Sequence, residues 1–377
     1  MAATTIREGT ILTQWQLNRA LLARQHLLQR SEMPVPGMLE ALVGMQSQVP
    51  NDPFIGLWTR MYGFHPDWLS EMMLDRTAVR ASLMRGTIHV VTADDYLFLQ
   101  PLMRSLHERV LPQSEPGKDL DPSLVPEILA IGEEVLRSRH VTMNELRREM
   151  GSRMPGIPAA AVVMTVRYLL PLVQITPRGT WGASQAATWA LADEWLGRPM
   201  PETADHQELV RRYLAAFGPA TVADIQVWSG LTGLRGVVDG MRDELVTFRN
   251  GRGQEMFDVP GAPMPDPETP APVRFLPGFD NALLSHKDRT RIISEERRKA
   301  IGSKNGLFQA TYLVDGVVAG TWAVDVTRET VTLTVRPFET HADEILDALE
   351  DEAFGLMGLL AEGRARTVHF AEIDPLP

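Results

Sequence analysis

The 377-residue sequence contains no cysteine, which excludes a disulfide framework, a thiolate nucleophile and any cysteine-ligated zinc site. Long apolar runs are missing too. None approaches the roughly 18 residues of a membrane span, and the opening "MAATTIREGTILTQ" has no apolar core of the signal-peptide kind. A cytoplasmic address is expected. No glycine-rich phosphate loop, HExxH or GxSxG motif occurs, and the nine histidines are scattered without metal-ligand spacing. Neither a cofactor nor a metal is expected, and covalent serine chemistry has no support. His89, in "RGTIHVV", alternates with Thr87 and Val91 on one face of a strand and reads as a structural histidine.

What is present begins with an uneven charge distribution. The net charge of −11 argues against a polyanionic partner at first sight. Between Glu339 and Glu362, however, there are eight acidic residues and no Lys or Arg, whereas Ser285 to Lys304 holds seven basic and three acidic residues. Negative charge is partly segregated at the C-terminal end, which leaves room for a basic face elsewhere. The stretch "SHKDRTRIISEERRKAIGSK" can form a phosphate-tracking surface through Lys287, Arg289, Arg291, Arg297 and Arg298. Intrahelical pairs such as Glu295 with Lys299 are the other reading.

Three proline-rich breaks, at 111–122, 196–206 and 259–272, divide the chain, the last with six prolines in fourteen residues. Two of the intervening segments share a plan. In the first, a helix over about 123–138 precedes "VTMNELRREM", where Thr142 and Glu145 form a capping box. An apolar helix then leads to "LVQITPRGTWGAS", which alternates and turns at Pro177-Arg178-Gly179 like a hairpin. In the next, a helix over about 206–217 precedes a second one capped by Thr221 with Asp224, then "LTGLRGVVDGMRDE". "LVTFRNGRGQEMFDV" closes it as two strands around Asn250-Gly251-Arg252-Gly253.

Three helices and a two-stranded ribbon is the order of a winged helix-turn-helix. The N-terminal segment fits more loosely, with helices over Thr13–Gln29 and about Pro36–Met45 and a strand in "RGTIHVVT". After the last linker the pattern turns to β, with an Asp315-Gly316 hairpin turn. An acidic helix over about 340–362 packs through Ile345, Leu346, Leu349 and Phe354, and a strand in "ARTVHFAEI" ends the chain. The expectation is an α+β fold of tandem winged helix-turn-helix units with a C-terminal β-rich region, divided 1–118, 119–202, 203–262 and 273–377. Winged units commonly seat a helix in a DNA groove and a wing on the backbone, which makes Arg178, Arg249 and Arg252 at the turns candidate phosphate contacts.

One stretch, "LVGMQSQVPNDPF" at 42–54, places two neutral amides, Gln46 and Gln48, where the chain is about to turn. Together with "LNRALLARQHLLQR", "MRGTIHVVTADDY", "RGTWGAS", "RRYLAAFGPATVADIQVWSGL", "FLPGFDNALLSHKDRTR" and "YLVDGVVAGTW", it resembles successive blocks of the AlkZ/YcaQ DNA glycosylases, from about Leu12 to Trp322. The resemblance implies tandem winged units forming a concave DNA-binding surface on a monomer. It also implies excision of bulky N7-alkylpurines or unhooking of interstrand cross-links from double-stranded DNA, and in several members protection against a self-made alkylating antibiotic. The family's Gln-x-Gln signature falls on Gln46 and Gln48, with Ser47 where the signature has an aliphatic residue.

Such a pair suits a particular chemistry. In an extended segment residues i and i+2 point the same way, so the two amides would share one small volume. An N7-alkylated purine is already cationic and leaves as a neutral base. What remains is to orient water and offer carbonyl dipoles to a cation-like sugar, which amides do without an ionised group. Gln46 and Gln48 are therefore the expected catalytic residues of a monofunctional glycosylase. A non-catalytic winged-helix regulator and a protein-binding scaffold are the alternatives.

Overall fold

A computed structural model describes residues 9–302 and 308–373. Lys304 of the basic stretch and the first eight residues lie outside them. The chain opens with β1 (Ile11–Leu12) and a helix over Gln14–Arg24, capped by the Thr13 hydroxyl with Gln16 completing the box. The helix stops short of Gln29 because His26 takes a left-handed backbone, φ 53°. A second helix, Val35–Ala41, leads into β2 (Met45–Gln46). Helices Asp52–Arg60 and Pro66–Leu74 then precede β3 (Ala78–Ser82), β4 (Ile88–Thr92) and a long helix, Ala93–Val110.

The two middle segments run as the sequence order suggests. Helices Val125–Ser138, Met143–Arg153 and Ala159–Leu169, with a short β5 (Val141–Thr142), are followed by the antiparallel pair β6 (Leu172–Ile175) and β7 (Thr188–Leu191). Helices His206–Phe217, Val222–Ser229 and Leu234–Gly240 are followed by β8 (Val246–Asn250) and β9 (Glu255–Asp258). Both capping boxes form, Thr142 with Glu145 and Thr221 with Asp224.

The first ribbon departs from expectation in one respect. The chain does turn at Pro177–Thr180, but the residues after the turn do not pair back onto β6. Trp181 is captured by the N-terminal segment instead: its backbone N–H donates to the Ser70 hydroxyl at 3.1 Å and its ring packs 5.0 Å from Phe54. The return strand forms only at Thr188.

Strand pairing ties the segments together. Six strands in the order β2-β4-β3-β6-β7-β5 make one sheet from the first and second segments, with β2 on its edge. β1 runs parallel to β8, so the N-terminus extends the third segment's ribbon. The last sheet comprises β10 (Arg274–Leu276), β11 (Thr311–Val314), β12 (Val317–Val326), β13 (Thr330–Pro337) and β14 (Ala365–Phe370). β11 and β12 meet at Asp315-Gly316, both at positive φ as a tight hairpin requires. The acidic helix spans Asp343–Leu360 and buries Leu349, Ala353, Leu356 and Met357 on this sheet, an i, i+4, i+7, i+8 stripe. Phe354, expected on that stripe, falls outside it and is exposed.

A central core joins Leu21 and Leu22 of the first helix, Leu99 and Leu102 of the long helix, Tyr213 and Phe217 of the third segment, and Leu283, Ile292 and Leu313 beyond the linker. The glutamine pair sits where these segments meet.

Candidate active site

The chain enters the site through a sharp reversal. After the Val35–Ala41 helix, Val43 and Gly44 both take positive φ, 53° and 80°, and deliver Met45 and Gln46 to the sheet edge. At Gly44 a Cβ would collide with the Val91 side chain, and the Gly44 carbonyl accepts from Asn281 Nδ2 at 2.7 Å. Gln46 pairs across the strands with His89, and Ser47 N–H continues the ladder to the Ile88 carbonyl at 2.7 Å. The strand ends there. Gln48 lies in the following bend and is exposed, whereas Gln46 is 6% exposed. The direction of Gln48 is thus set by the bend and not by the pleat of the strand.

Two arginines from the neighbouring hairpin grip this segment. Arg85 sits in the turn between β3 and β4 at φ 57°. Its Nη2 donates to Gln46 Oε1 at 2.8 Å and lies 3.4 Å from His89 Nε2, while Nη1 donates to the Trp228 carbonyl at 2.6 Å. His89 Nδ1 lies 3.0 Å from the Thr87 carbonyl, which can only accept, so Nδ1 carries the proton and Nε2 faces Arg85 as an acceptor. Burial, with Arg85 adding to it, pushes the His89 pKa down to about 3, so the ring is neutral.

Arg80, on β3, donates from Nε to Ser47 Oγ at 3.0 Å and from Nη2 to the Ser47 carbonyl at 2.7 Å. Ser47 therefore replaces the aliphatic residue of the family signature with a hydroxyl that is hydrogen-bonded, not orphaned. Gly179, at φ 100°, lets the turn of the second segment lie directly on the Arg80 side chain. Desolvation lowers both arginines to about 10, aided by Arg178 beside Arg80 and Arg289 beside Arg85. Both still carry charge at neutral pH.

A carboxyl that sequence reading passed over follows closely. Asp52 opens the Asp52–Arg60 helix and is 9% exposed. Burial first, and the Asp280 carboxylate second, push its pKa up to about 7. Asp280 itself is held by both Nη atoms of Arg60, at 2.8 and 2.9 Å, with neither side chain exposed. The only sequence signal for Asp52 was its place in "QVPNDPF", just past the motif.

The expected DNA contacts divide into three groups. Arg178 lies beside Arg80 and Arg289 beside Arg85, the two arginines that hold the glutamine segment. Arg178 is half-buried and donates to the Gln185 carbonyl at 3.0 Å; Arg289 lies over the Phe308 ring at 5.5 Å. Arg249, Arg252 and Lys287 are exposed, and Arg252 and Lys287 share a cleft of about 470 Å³ with Gln14, Asn250, Asp224 and Asp288. Arg252 is 3.2 Å from Asp288.

The remaining three are engaged within the protein. Arg291 is 5% exposed and donates to the Pro219 carbonyl at 3.1 Å, so its guanidinium is enclosed and the DNA-contact expectation for it is withdrawn. Arg297 pairs with Glu339 at 2.7 Å and Arg298 with Glu295 at 2.9 Å. Among its described residues the basic stretch is helical over Glu295–Ile301 alone; its first half folds irregularly around buried His286, Arg291, Ile292 and Ile293.

Comparison with known proteins identifies the family. The family model for AlkZ-like DNA glycosylases matches residues 39–358. An interstrand DNA cross-link repair glycosylase of Streptomyces sahachiroi is 25% identical, covering 88% of this chain and 92% of that protein. The solved structure of Streptomyces sahachiroi DNA glycosylase AlkZ superposes with a TM-score of 0.78 at 20% identity, covering 96% of this chain and all of the other. With the family model spanning the glutamine pair, both arginines that grip it and most of the fold, the chain belongs to the AlkZ-like DNA glycosylase family.

Proposed function

We propose that this glycosylase hydrolyses the N-glycosidic bond of N7-alkylated purines in duplex DNA, bulky adducts and interstrand cross-links among them, with Gln46 and Gln48 as its catalytic pair. The observation that carries the reading is that, among the described residues, no carboxylate bonds either glutamine; Gln46 is held by Arg85 instead. His89 beside it is an uncharged ring, and the nearest carboxyl along the chain beyond the pair, Asp52, is pushed up to about 7 by burial and the Asp280 carboxylate and makes no bond to the pair among the described residues. A glutamine pair with no carboxylate bonded to it forgoes the roughly 10²–10⁴-fold that a general base at that position supplies. It therefore suits a leaving base that is already cationic, whose departure needs only oriented water and dipoles.

The second and third segments act as winged-helix units in this reading, and the chain works as a monomer whose concave face takes the duplex. Arg178 beside Arg80, Arg289 beside Arg85, and Arg249, Arg252 and Lys287 around the third ribbon track phosphates. The relative named for cross-link repair supports a bulky or tethered lesion. A cross-linked base cannot be fully flipped from the stack, so selection falls on bond lability. Such an activity serves a host that makes or meets a DNA-alkylating metabolite.

The test is single-turnover release from duplexes carrying N7-methylguanine, a bulky N7 adduct, or a neutral damaged base such as uracil. Release of the N7 adducts at least about 100-fold faster than uracil is expected. Comparable release of the uncharged base would sink this reading.

A further inference from the structure

The two glutamines differ in what already binds them. Arginine has only N–H donors, so the Gln46 atom 2.8 Å from Arg85 Nη2 must be its oxygen, whichever way the amide is first drawn. Among the described residues Gln46 Nε2 meets no acceptor, and it is not among the buried polar atoms left unpaired, so it reaches solvent. Arg85 is itself fixed, by its Trp228 carbonyl bond and by His89 Nε2. Gly230, whose Cβ position lies 3.1 Å from Arg85 Cα, allows the Val222–Ser229 helix end to close over it. Gln48, in the bend that follows, is exposed and carries no such tie among the described residues.

From this we infer that Arg85 is a positioning residue that locks the Gln46 amide with its NH₂ toward the substrate, so that Gln46 acts as a hydrogen-bond donor and the carbonyl work falls to Gln48. The inference rests on the reading that the pair is catalytic. Water held this way has one lone pair on the Gln46 N–H, one proton on the Gln48 carbonyl, and its other lone pair free for C1′. Its oxygen bonds to C1′ as the C1′–N9 bond breaks. The bonding pair neutralises the cationic purine, and the surplus proton passes to solvent.

The experiment is a double-mutant cycle on single-turnover release of N7-methylguanine, with duplex affinity measured alongside. Arg85→Ala is expected to slow release by roughly 10–100-fold with affinity held within about threefold, and to add nothing in a Gln46→Ala background. Arg85→Lys, which keeps one donor over the Gln46 oxygen, should recover most of the rate. It also keeps the test alive if the alanine variant does not fold. Gln46→Glu keeps the Arg85 contact but replaces the NH₂ with an acceptor, so it should be as slow as Gln46→Ala.

Three results would overturn the inference: additive losses in the cycle, a loss of affinity with the rate unchanged, or wild-type release by Gln46→Glu. Wild-type release by Gln46→Ala would instead remove the catalytic reading of Gln46, and the inference with it.

Discussion

At the scale of single residues, the Asp52 carboxyl gives the site a pH dependence that stability measurements can detect. Unfolded, the group ionises near its ordinary 3.8; folded, only near 7. The folded state holds the proton between those values. Its contribution to stability is therefore complete below about pH 4 and is lost as pH rises to about 7. At about 1.4 kcal/mol per unit, the loss is on the order of 2–4 kcal/mol. Asp52→Asn, neutral throughout, should raise the melting temperature relative to wild type at pH 8 and leave it little changed at pH 4.5. An equal difference at both values would contradict the assignment. His89 acts at the other end: an unfolded histidine takes up a proton near 6.5, the folded one only near 3, so its contribution is lost as pH falls below about 6.5.

The glutamines were legible in the sequence because two amides beside a turn, inside several matching blocks, are an uncommon combination. Arg80 and Arg85 were not, because their roles come from strand pairing. Only when β4 lies beside β2 does the β3–β4 turn bring Arg85 to Gln46.

At the scale of elements, capping chemistry was the most readable feature. Thr142 with Glu145 and Thr221 with Asp224 mark helix starts through local hydrogen bonds that no tertiary contact displaces. β3 was not read as a strand because both faces of "AVRAS" are buried, which removes the alternation that announces a strand. The return strand of the second segment was misplaced because Trp181 finds Phe54 and Ser70, partners distant in sequence.

The Asp52–Arg60 helix beneath the motif is fastened by the fully buried Arg60–Asp280 pair, and Asp280 also caps the Asn281–Leu284 turn of helix. Removing one partner leaves the other charge buried. Arg60→Met should cost about 3–5 kcal/mol in denaturant unfolding. Adding Asp280→Asn, which removes the stranded charge and keeps a capping oxygen, should return part of that loss. A loss below about 1 kcal/mol for Arg60→Met would mean the pair does not hold the helix.

At the scale of the whole molecule, the segments are not beads on a string. β1 belongs to the third ribbon, the first and second segments share a sheet, and Arg24 reaches Asp258 with two 2.7 Å bonds. Periodicity along the chain showed the repeated helix-and-ribbon order but could not show this sharing, which depends on contacts between distant residues. It sets where a duplex would feel positive charge on a molecule of net charge −11. Arg178 and Arg289 lie beside the arginines that hold the glutamine segment and form no carboxylate salt bridge among the described residues, whereas Arg297 and Arg298 are paired. Alanine at either of the first two should lower the salt dependence of duplex affinity by about one counterion, a slope change near 0.9. Alanine at Arg298 should leave it unchanged. Equal slopes for all three would remove the arginines beside the motif from the binding surface.

The central claim is that base release is carried out at Gln46 and Gln48. Its most direct test is single-turnover release from a duplex bearing one N7-alkylguanine, by the wild-type protein and by the Gln46→Ala/Gln48→Ala double variant, with duplex binding measured in parallel. Release by the wild type that falls by at least about 100-fold in the double variant, with affinity retained, is the expected result. Release that persists in the double variant would place the chemistry elsewhere in the fold and contradict the account.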